Sequence, residues 1–357
     1  MHVKRSVFAG GVEIGGGAPI SIQSMTNTLT TDINATTAQI RELADAGCDL
    51  VRVSVYDAAC ARAVPSLVAA SPVPLVADIH FDHTLAIQSI EGGIAKLRIN
   101  PGNMPKQEHV SRVADCAKAH HVPIRIGVNA GSLPRHLVDR YGGVTPEAMV
   151  EAAREHVALL EQAGFDDIVL SLKASDIALC VNAYRLADAV FDYPLHLGIT
   201  EAGLPGTGTI KSAIGIGSLL LDGIGNTIRV SLTGSPVPEA AAAQDILRAL
   251  NMHAGLQLIS CPTCGRSRYD VEQVARQVEK SLAHIRVPVK VAVMGCVVNG
   301  PGEARDADVA YCGGDGAGAI YVRGQFVRRV EGNPAQALID HVNKFLSEKN
   351  DLRTGHA

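Results

Sequence analysis

The chain has 357 residues, of which 47% are hydrophobic, and it carries a formal net charge of −4. This length allows two domains with a sizeable core, and the composition excludes an intrinsically disordered chain. The slightly acidic balance, with no Trp and few other aromatic residues, argues against a general nucleic-acid-binding protein.

The N-terminal segment contains no apolar run of the length that a signal peptide or a membrane span needs. We therefore expect a cytoplasmic protein that does not enter a membrane. Two glycine clusters within residues 3–20 predict a β-hairpin, which we expect to cap the bottom of the domain that follows.

From residue 20 to about 235, short apolar runs alternate with Ala- and Leu-rich helical stretches. The runs span residues 20–25, 50–55, 75–80, 96–100, 124–129, 168–173, 195–201 and 228–232. Strands that alternate with helices form parallel sheets, and eight such repeats predict a closed (β/α)8 barrel, or TIM barrel. An open doubly wound sheet is the alternative.

A helix over about 237–254 is predicted to follow the last barrel strand, with a domain boundary near Gly255. We expect residues 1–255 to form the barrel and residues 256–357 to form a smaller α+β domain. The pattern of this second domain predicts a helix over 270–284, a strand over 289–294, a glycine-rich β stretch over 310–330 and a helix over 334–348.

Cationic residues interrupt several of the apolar barrel runs. The residues are Arg52, Lys96, Arg98, Arg125, Lys173 and Arg229, and Asn100, Asn129, Ser171 and Ser231 add neutral donors. An Arg between β-branched residues is costly to bury without a partner. Because the carboxyl ends of barrel strands meet at one face, we expect these side chains to bind a ligand with more than one phosphate. A structural network of ion pairs is the alternative.

Few acidic residues accompany these cations at the predicted strand ends. Asp78 lies in the third run, and Glu201 ends the seventh at the expected rim of the pocket, where it could move protons or pair with an arginine. His80 and His83 have the spacing of a metal-binding pair, although histidines at strand ends more often form local hydrogen bonds.

The cysteines of the C-terminal part are spaced like metal ligands. Cys261 and Cys264 form a CxxC motif, and Cys296 follows 32 positions later beside an Asn-Gly-Pro-Gly turn. Three thiolates with a fourth open or non-thiolate position favour a reactive iron–sulfur cluster over a structural zinc site, although zinc and free thiols remain alternatives. From spacing alone, Cys312, Glu303 and His284 are candidates for the fourth ligand. The remaining cysteines, Cys48, Cys60, Cys116 and Cys180, are expected to be small buried residues.

Five motifs together resemble the 4-hydroxy-3-methylbut-2-enyl diphosphate synthase family over nearly the whole chain, in its compact bacterial two-domain form. They are SMTNT at 24–28, KLRINPGN at 96–103, GITEAG at 198–203, SCPTCGR at 260–266 and MGCVVNGPGEA at 294–304.

This resemblance implies the two-electron reductive ring opening of 2-C-methyl-D-erythritol 2,4-cyclodiphosphate, in the methylerythritol phosphate route of isoprenoid biosynthesis. It implies a [4Fe–4S] cluster held by Cys261, Cys264, Cys296 and Glu303, with Glu303 instead of Cys312 as the fourth ligand. Glu201 matches a catalytic acidic position. Diphosphate-binding positions are matched by Arg52, Arg98, Arg125, Asn129, Lys173, Arg229 and Ser231.

The same resemblance implies a homodimer with an active site shared between subunits and a flavodoxin or ferredoxin as electron donor. Competing functions are a zinc-stabilised phosphate-binding protein and a barrel aldolase with Lys173 as its Schiff-base lysine. A radical S-adenosylmethionine enzyme would need a CxxxCxxC motif, and the sequence has none.

Overall fold

The structure is a computed structural model. It describes residues 3–80, 82–100, 104, 106–296, 298, 300–314 and 316–354; for residue 303 and residues 350–354 only the backbone is described. The chain divides into two compact units, residues 1–250 and residues 251–357.

The first unit is a barrel preceded by a hairpin of β1 (Val7–Ala9) and β2 (Val12–Ile14). The eight barrel strands are β3 (Ser21–Met25), β4 (Leu50–Ser54), β5 (Leu75–Asp78), β6 (Lys96–Ile99), β7 (Ile124–Asn129), β8 (Ile168–Lys173), β9 (His196–Leu197) and β10 (Thr227–Ile228). Around them lie α1 (Ile33–Asp45), α2 (Ala58–Ala70), α3 (His83–Glu91), α4 (Gln107–Ala119), α5 (Arg135–Arg140), α6 (Pro146–Gln162), α7 (Ile177–Val190), α8 (Thr207–Leu221) and α9 (Val237–Ala249).

All eight barrel strands are parallel, and their order is β8-β7-β6-β5-β4-β3-β10-β9. A parallel bridge between Leu170 and Leu195 joins the two ends of this order, so the sheet closes on itself. The prediction of a (β/α)8 barrel is confirmed, and the open doubly wound alternative is wrong.

Aspartates define where several barrel helices begin. The side chains of Asp32, Asp57, Asp82 and Asp176 each accept a hydrogen bond from a backbone N–H two or three residues further on. These N-caps satisfy donors that the first helical turn leaves without intrahelical partners. Each capped helix therefore starts shortly after a strand end, which keeps the connecting loops short at the face where the strands end.

The hairpin closes the opposite end of the barrel, as predicted. Val7 and Ile14 pack with Leu50, Val76 and Val169, which lie at or near the first residues of their strands. The hairpin thus contributes an apolar floor, while the polar interior lies toward the carboxyl ends of the strands.

The second unit has a five-stranded mixed sheet. Its elements are β11 (Leu256–Ser260), α10 (Val271–Leu282), β12 (Val289–Met294), α11 (Gly300–Glu303), β13 (Val309–Cys312), β14 (Gly318–Val322), β15 (Gln325–Val330) and α12 (Pro334–Thr354). Strands β11, β12 and β13 are parallel to one another, whereas β14 pairs antiparallel with both β13 and β15. Helices α10 and α12 cover one face of the sheet, so the predicted α+β class is confirmed.

Several predicted bounds need correction. The helix predicted over 237–254 ends at Ala249, because the backbone of Asn251 turns into the left-handed region, with φ of 58°. The helix predicted over 334–348 continues to Thr354. Strand β11 was not predicted, since it lies at the edge of its sheet and none of its residues is fully buried.

Within the described part of the chain, every helix is too short or too polar to cross a membrane.

Candidate functional site

A cavity of about 200 Å³ opens at the carboxyl ends of the barrel strands. Its described lining residues are Arg52, Asp78, His80, Arg98, Arg125, Asn129, Ser171, Lys173, Thr200, Arg229 and Ser231. They come from seven neighbouring strands or the residues just after them, because alternate residues of each strand face the barrel interior. All seven residues that the family resemblance matched to diphosphate-binding positions line this one cavity.

Asp78 is the only carboxylate among these lining residues. It accepts a hydrogen bond from Arg98 at 3.0 Å, and Nε of Arg52 lies 3.8 Å from its other oxygen. Burial works to raise the pKa of Asp78, but Arg52, His80 and Arg98 outweigh it and hold that pKa well below its ordinary value. The carboxylate therefore stays ionised and anchors two guanidinium groups.

The thioether of Met25 lies between two of the arginines. Its sulfur accepts from Nε and Nη2 of Arg52 at 3.1 and 2.9 Å, and Nη1 of Arg229 lies 3.7 Å away. Burial lowers the pKa of Arg52 to about 10, against the opposing effect of Asp78, so the group remains charged at neutral pH. Met25 orients both arginines without neutralising either.

Arg229 has its own buried carboxylate. Both oxygens of Glu239, a residue only 3% exposed on α9, accept from Arg229 at 3.3 and 3.4 Å. The same carboxylate accepts from Ser24 Oγ at 2.8 Å and from the backbone N–H of Leu232 at 2.9 Å. Glu239 therefore fixes Arg229 from behind and links β3, β10 and α9.

Arg125 and Lys173 have no carboxylate partner among the described residues. Arg125 is 2% exposed and donates to Ser171 Oγ at 3.3 Å. Burial first, and then the neighbouring guanidinium groups of Arg52 and Arg98, hold the pKa of Arg125 well below its ordinary value. Burial, Arg125 and Arg229 do the same to the pKa of Lys173. Among the described lining residues, the arginine and lysine side chains outnumber the one carboxylate, which suits an anionic ligand.

Two of the nominated polar residues lie elsewhere. Lys96 is fully buried and Asn100 is 8% exposed, but neither lines the cavity. Lys96 lies two residues before Arg98 on β6 and therefore faces the interior below the cavity.

Glu201 directly follows the lining residue Thr200 but is not itself a lining residue. Its side chain is exposed, and its backbone adopts a left-handed conformation with φ of 53°. Such a conformation is unfavourable for a residue with a Cβ and often occurs at functional sites.

The two histidines of the predicted metal pair have different neighbours. His80 lines the cavity, where Nη1 of Arg98 donates to it at 3.1 Å, whereas His83 stacks on His109 with the ring centroids 3.8 Å apart. These contacts account for His80 as a polar residue of the cavity and for His83 as a residue that packs against another ring.

The cysteine motifs follow the ends of two adjacent parallel strands. Cys261 comes directly after β11 and its backbone N–H donates to Val293 O at 2.9 Å, while Cys296 comes two residues after β12. Cys264 is exposed, and hydrogen bonds from the backbone and side chain of Arg266 lower the pKa of its thiol. A lowered pKa favours the thiolate, which is the form that binds metal.

Cys312 differs from this set. It is fully buried in a cluster with Ala292, Met294 and Ala304, and burial, with a smaller contribution from Cys296, raises the pKa of its thiol to about 12. A Cβ at Gly300 would lie 2.9 Å from its sulfur, so this thiol packs tightly against the start of α11. These features are those of a core residue.

The donor chemistry of Cys261, Cys264 and Cys296 fits a thiolate-held iron centre. In the arrangement observed, no group of three or more Cys, His, Asp or Glu side chains among the residues described is close enough to hold a metal ion. The side chain of Glu303, the other predicted ligand, lies outside the described residues, and so do residues 297 and 299 of the same motif.

Of the remaining cysteines, Cys48, Cys60 and Cys180 are buried as expected, but Cys116 is half-exposed.

Sequence reasoning missed two residues that shape the cavity. The motif that contains Met25 gives this residue no role, and the sequence around Glu239 does not mark it as part of a site. The only local signal for Glu239 is an acid in the first turn of a helix, which is a common feature with no link to a site.

A (β/α)8 barrel with clustered cations at its strand ends, followed in the chain by a unit with three cysteines just after strand ends, defines a barrel protein with a candidate anion site and a candidate metal centre. The chain belongs to the GcpE family. Residues 4–244 match the GcpE TIM-barrel domain, and residues 257–347 match the GcpE protein C-terminal domain.

Curated relatives are similar over almost their entire length. A protein of Geobacter sulfurreducens is 54% identical over 348 residues, covering 97% of this chain and 99% of its own. A protein of Caldanaerobacter subterraneus subsp. tengcongensis is 52% identical over 347 residues, covering 97% and 98%. Both are named 4-hydroxy-3-methylbut-2-en-1-yl diphosphate synthase (flavodoxin).

Among solved structures, the spore coat polysaccharide biosynthesis protein SpsE of Bacillus subtilis superposes with a TM-score of 0.50 at 11% identity, over 69% of this chain and 73% of its own. At that identity the likeness concerns the fold alone.

Proposed function

We propose that this chain is a 4-hydroxy-3-methylbut-2-en-1-yl diphosphate synthase. The substrate is 2-C-methyl-D-erythritol 2,4-cyclodiphosphate and the product is (E)-4-hydroxy-3-methylbut-2-enyl diphosphate. Two electrons and two protons are consumed, the ring C–O bond to phosphate breaks, and one oxygen leaves as water. The observation that carries this proposal is a cavity whose described lining includes five Arg and Lys side chains and a single carboxylate, in a chain of this family.

The barrel binds the diphosphate. Arg52, Arg98, Arg125, Lys173 and Arg229 neutralise its phosphoryl oxygens, and Asn129 and Ser231 donate neutral hydrogen bonds. One guanidinium group can bind two phosphate oxygens at once, so several arginines from different strands also fix the orientation of the ring. In this proposal the barrel supplies binding and positioning, and water is displaced from a cavity of about 200 Å³.

Glu201 is proposed to manage protons beside the bound substrate. Its support is the position one residue past the cavity and a backbone conformation that sets its direction. Glu201→Gln keeps the shape but cannot transfer a proton, so turnover should fall while diphosphate binding persists. Normal turnover of this variant would remove Glu201 from the mechanism.

Cys261, Cys264, Cys296 and Glu303 are proposed to hold a [4Fe–4S] cluster, which when bound supplies single electrons to the substrate. The relatives' name specifies flavodoxin, and we propose flavodoxin as the donor here, with ferredoxin as the alternative.

We further propose a cytoplasmic homodimer with composite active sites. A reducing compartment suits a chain whose CxxC motif and Cys296 are proposed to bind a cluster as thiolates. A stripe of exposed apolar residues on α8, formed by Ile210, Ile214 and Leu221, supports self-association.

The test uses protein purified without oxygen. Iron and acid-labile sulfide are quantified, and the cyclic diphosphate is then added with reductant while phosphorus NMR follows the product. We expect about four iron per chain and ring opening. Cys264→Ser should lose iron and turnover, whereas Cys116→Ser, on α4 of the barrel, should keep both. Zinc without sulfide, or a cluster without ring opening, would refute the proposed reaction.

A further inference from the structure

A layer of polar side chains lies inside the barrel directly below the cavity. Lys96 and His196 are fully buried, and Gln23 is 1% exposed. Side chains alternate along a strand, so a residue an even number of positions before an inward-facing residue also faces inward. Lys96 precedes Arg98 by two residues, Gln23 precedes Met25 by two, and His196 precedes Thr200 by four. Ser21 and Thr227 belong to the same layer, since Thr227 pairs in register with both Ser21 and His196.

The protein provides these groups with little compensation. Nζ of Lys96, both ring nitrogens of His196 and both amide atoms of Gln23 have no hydrogen-bond partner among the described residues. The nearest acids are committed elsewhere, because Asp78 pairs with Arg52 and Arg98, and Glu239 pairs with Arg229.

Among the described residues, every other charged group facing this layer is a cation. Arg52 on β4, Arg98 on β6, Arg125 on β7, Lys173 on β8 and Arg229 beyond β10 surround its upper side. Burial first, then Arg125 and Arg52, hold the pKa of Lys96 well below its ordinary value. Burial and the same cations, with Lys173 and Lys96, lower the pKa of His196. In the free protein, both groups therefore hold a proton much less readily than they would in water, because they are buried without a hydrogen-bond partner and face cations.

We infer that a diphosphate entering the cavity drives the uptake of one proton by the buried layer, onto Lys96. This inference rests on the proposed function. Two residues along a strand span about 7 Å, so the ligand charge lies roughly 9 Å from Lys96. At an effective dielectric constant of about 20, each negative charge at that distance raises the pKa of the amine by about one unit.

Two measurable consequences follow. The complex binds more protons than its separated components, so the affinity for the diphosphate decreases as pH rises. The proton also arrives with the substrate of a reaction that consumes protons, which couples its supply to binding.

The experiment is titration calorimetry of the full-length, cluster-loaded protein with inorganic pyrophosphate at pH 8, in buffers of different ionisation enthalpy. The variant is Lys96→Met, which keeps the length of the side chain but cannot be protonated. The wild type should take up about half to one proton more per pyrophosphate than this variant. Lys118→Met, an exposed position on α4, should match the wild type.

His196→Asn provides a second variant with Lys96 intact, and it should retain most of the proton uptake. Equal uptake by the wild type and Lys96→Met would overturn the inference. Absence of pyrophosphate binding would overturn both the inference and the anion pocket of the proposed function. Lys96-dependent uptake in a protein that does not open the cyclic diphosphate would support the inference and refute the proposed reaction.

Discussion

Glu239 shows how a single buried carboxylate can organise a cationic site. It is 3% exposed and bonds Arg229, Ser24 and the backbone of Leu232. Glu239→Gln preserves the shape but leaves the partly buried guanidinium of Arg229 without a counter-ion, and removing one partner of a largely buried pair costs about 3 kcal/mol. We expect urea unfolding of the variant to report a loss of stability of that size.

The matched control is Glu272→Gln on α10. This glutamate pairs with Arg276 across one helical turn, and both side chains are more than 70% exposed. Exposed pairs contribute little, so the control should lie within about 0.5 kcal/mol of the wild type. Equal losses in the two variants would show that Glu239 does not hold Arg229 electrostatically.

Asp78 gives the stability of the barrel a dependence on acid pH. Its pKa in the folded protein is held far below the value of about 3.9 expected in the unfolded chain. Its contribution is therefore complete above about pH 5 and declines as pH falls below about 4, where only the unfolded chain takes up a proton. The stability difference between the wild type and Asp78→Asn should shrink accordingly between pH 5 and 3.

Urea unfolding at several pH values measures that difference. Asp139→Asn, at an exposed carboxylate paired with Arg135 on α5, should show no comparable pH dependence relative to the wild type. A difference for Asp78→Asn that stays constant from pH 7 to pH 3 would contradict the assignment.

At the scale of elements, a glycine directly after a barrel strand leaves room for a long cationic side chain from the neighbouring strand. A Cβ at Gly198, the residue after β9, would lie 2.6 Å from Nζ of Lys173 and 2.7 Å from the backbone oxygen of Arg229. The ammonium could move, but the backbone of the next strand cannot yield cheaply. Gly198→Ala should therefore displace Lys173 and weaken pyrophosphate binding by about tenfold or more.

Calorimetry with pyrophosphate measures this effect, and Gly11→Ala is the control. Gly11 lies in the turn of the hairpin at the other end of the barrel, where an added Cβ meets nothing within 4 Å. Its affinity should equal that of the wild type. Unchanged binding by Gly198→Ala would mean that Lys173 does not need its observed position.

For the whole molecule, the sequence predicted most accurately the bounds of strands that are buried on both faces of their sheet. Strands β7, β8 and β12 have their predicted bounds, because strands in covered parallel sheets read as continuous apolar runs. The last two barrel strands are shorter than predicted: their ladders end at Leu197 and Ile228. The edge strand β11 has only half-buried residues and no comparable signal.

The site divides in the same way. Arginines inside apolar runs were recognisable because their burial needs compensation, and barrel geometry then brought them to one face. The compensation itself was not predictable. Glu239 lies ten residues beyond Arg229 on a different element, and the sulfur of Met25 looks like any core atom in the sequence. Lys96 was grouped with the cavity residues, since sequence does not reveal depth along a strand.

The proposed homodimer can be tested through α8. Ile210, Ile214 and Leu221 are 60%, 51% and 73% exposed, and their spacing of four and seven residues places them on one face of the helix. An exposed apolar stripe of this kind marks an association surface.

Ile214→Lys should convert the protein to monomers in sedimentation velocity, because burying an ammonium without a partner is unfavourable. Val144→Lys, at another exposed apolar residue, should stay dimeric. If Ile214→Lys remains a dimer, the contact lies on another surface, and a wild type that sediments as a monomer would refute the shared active site.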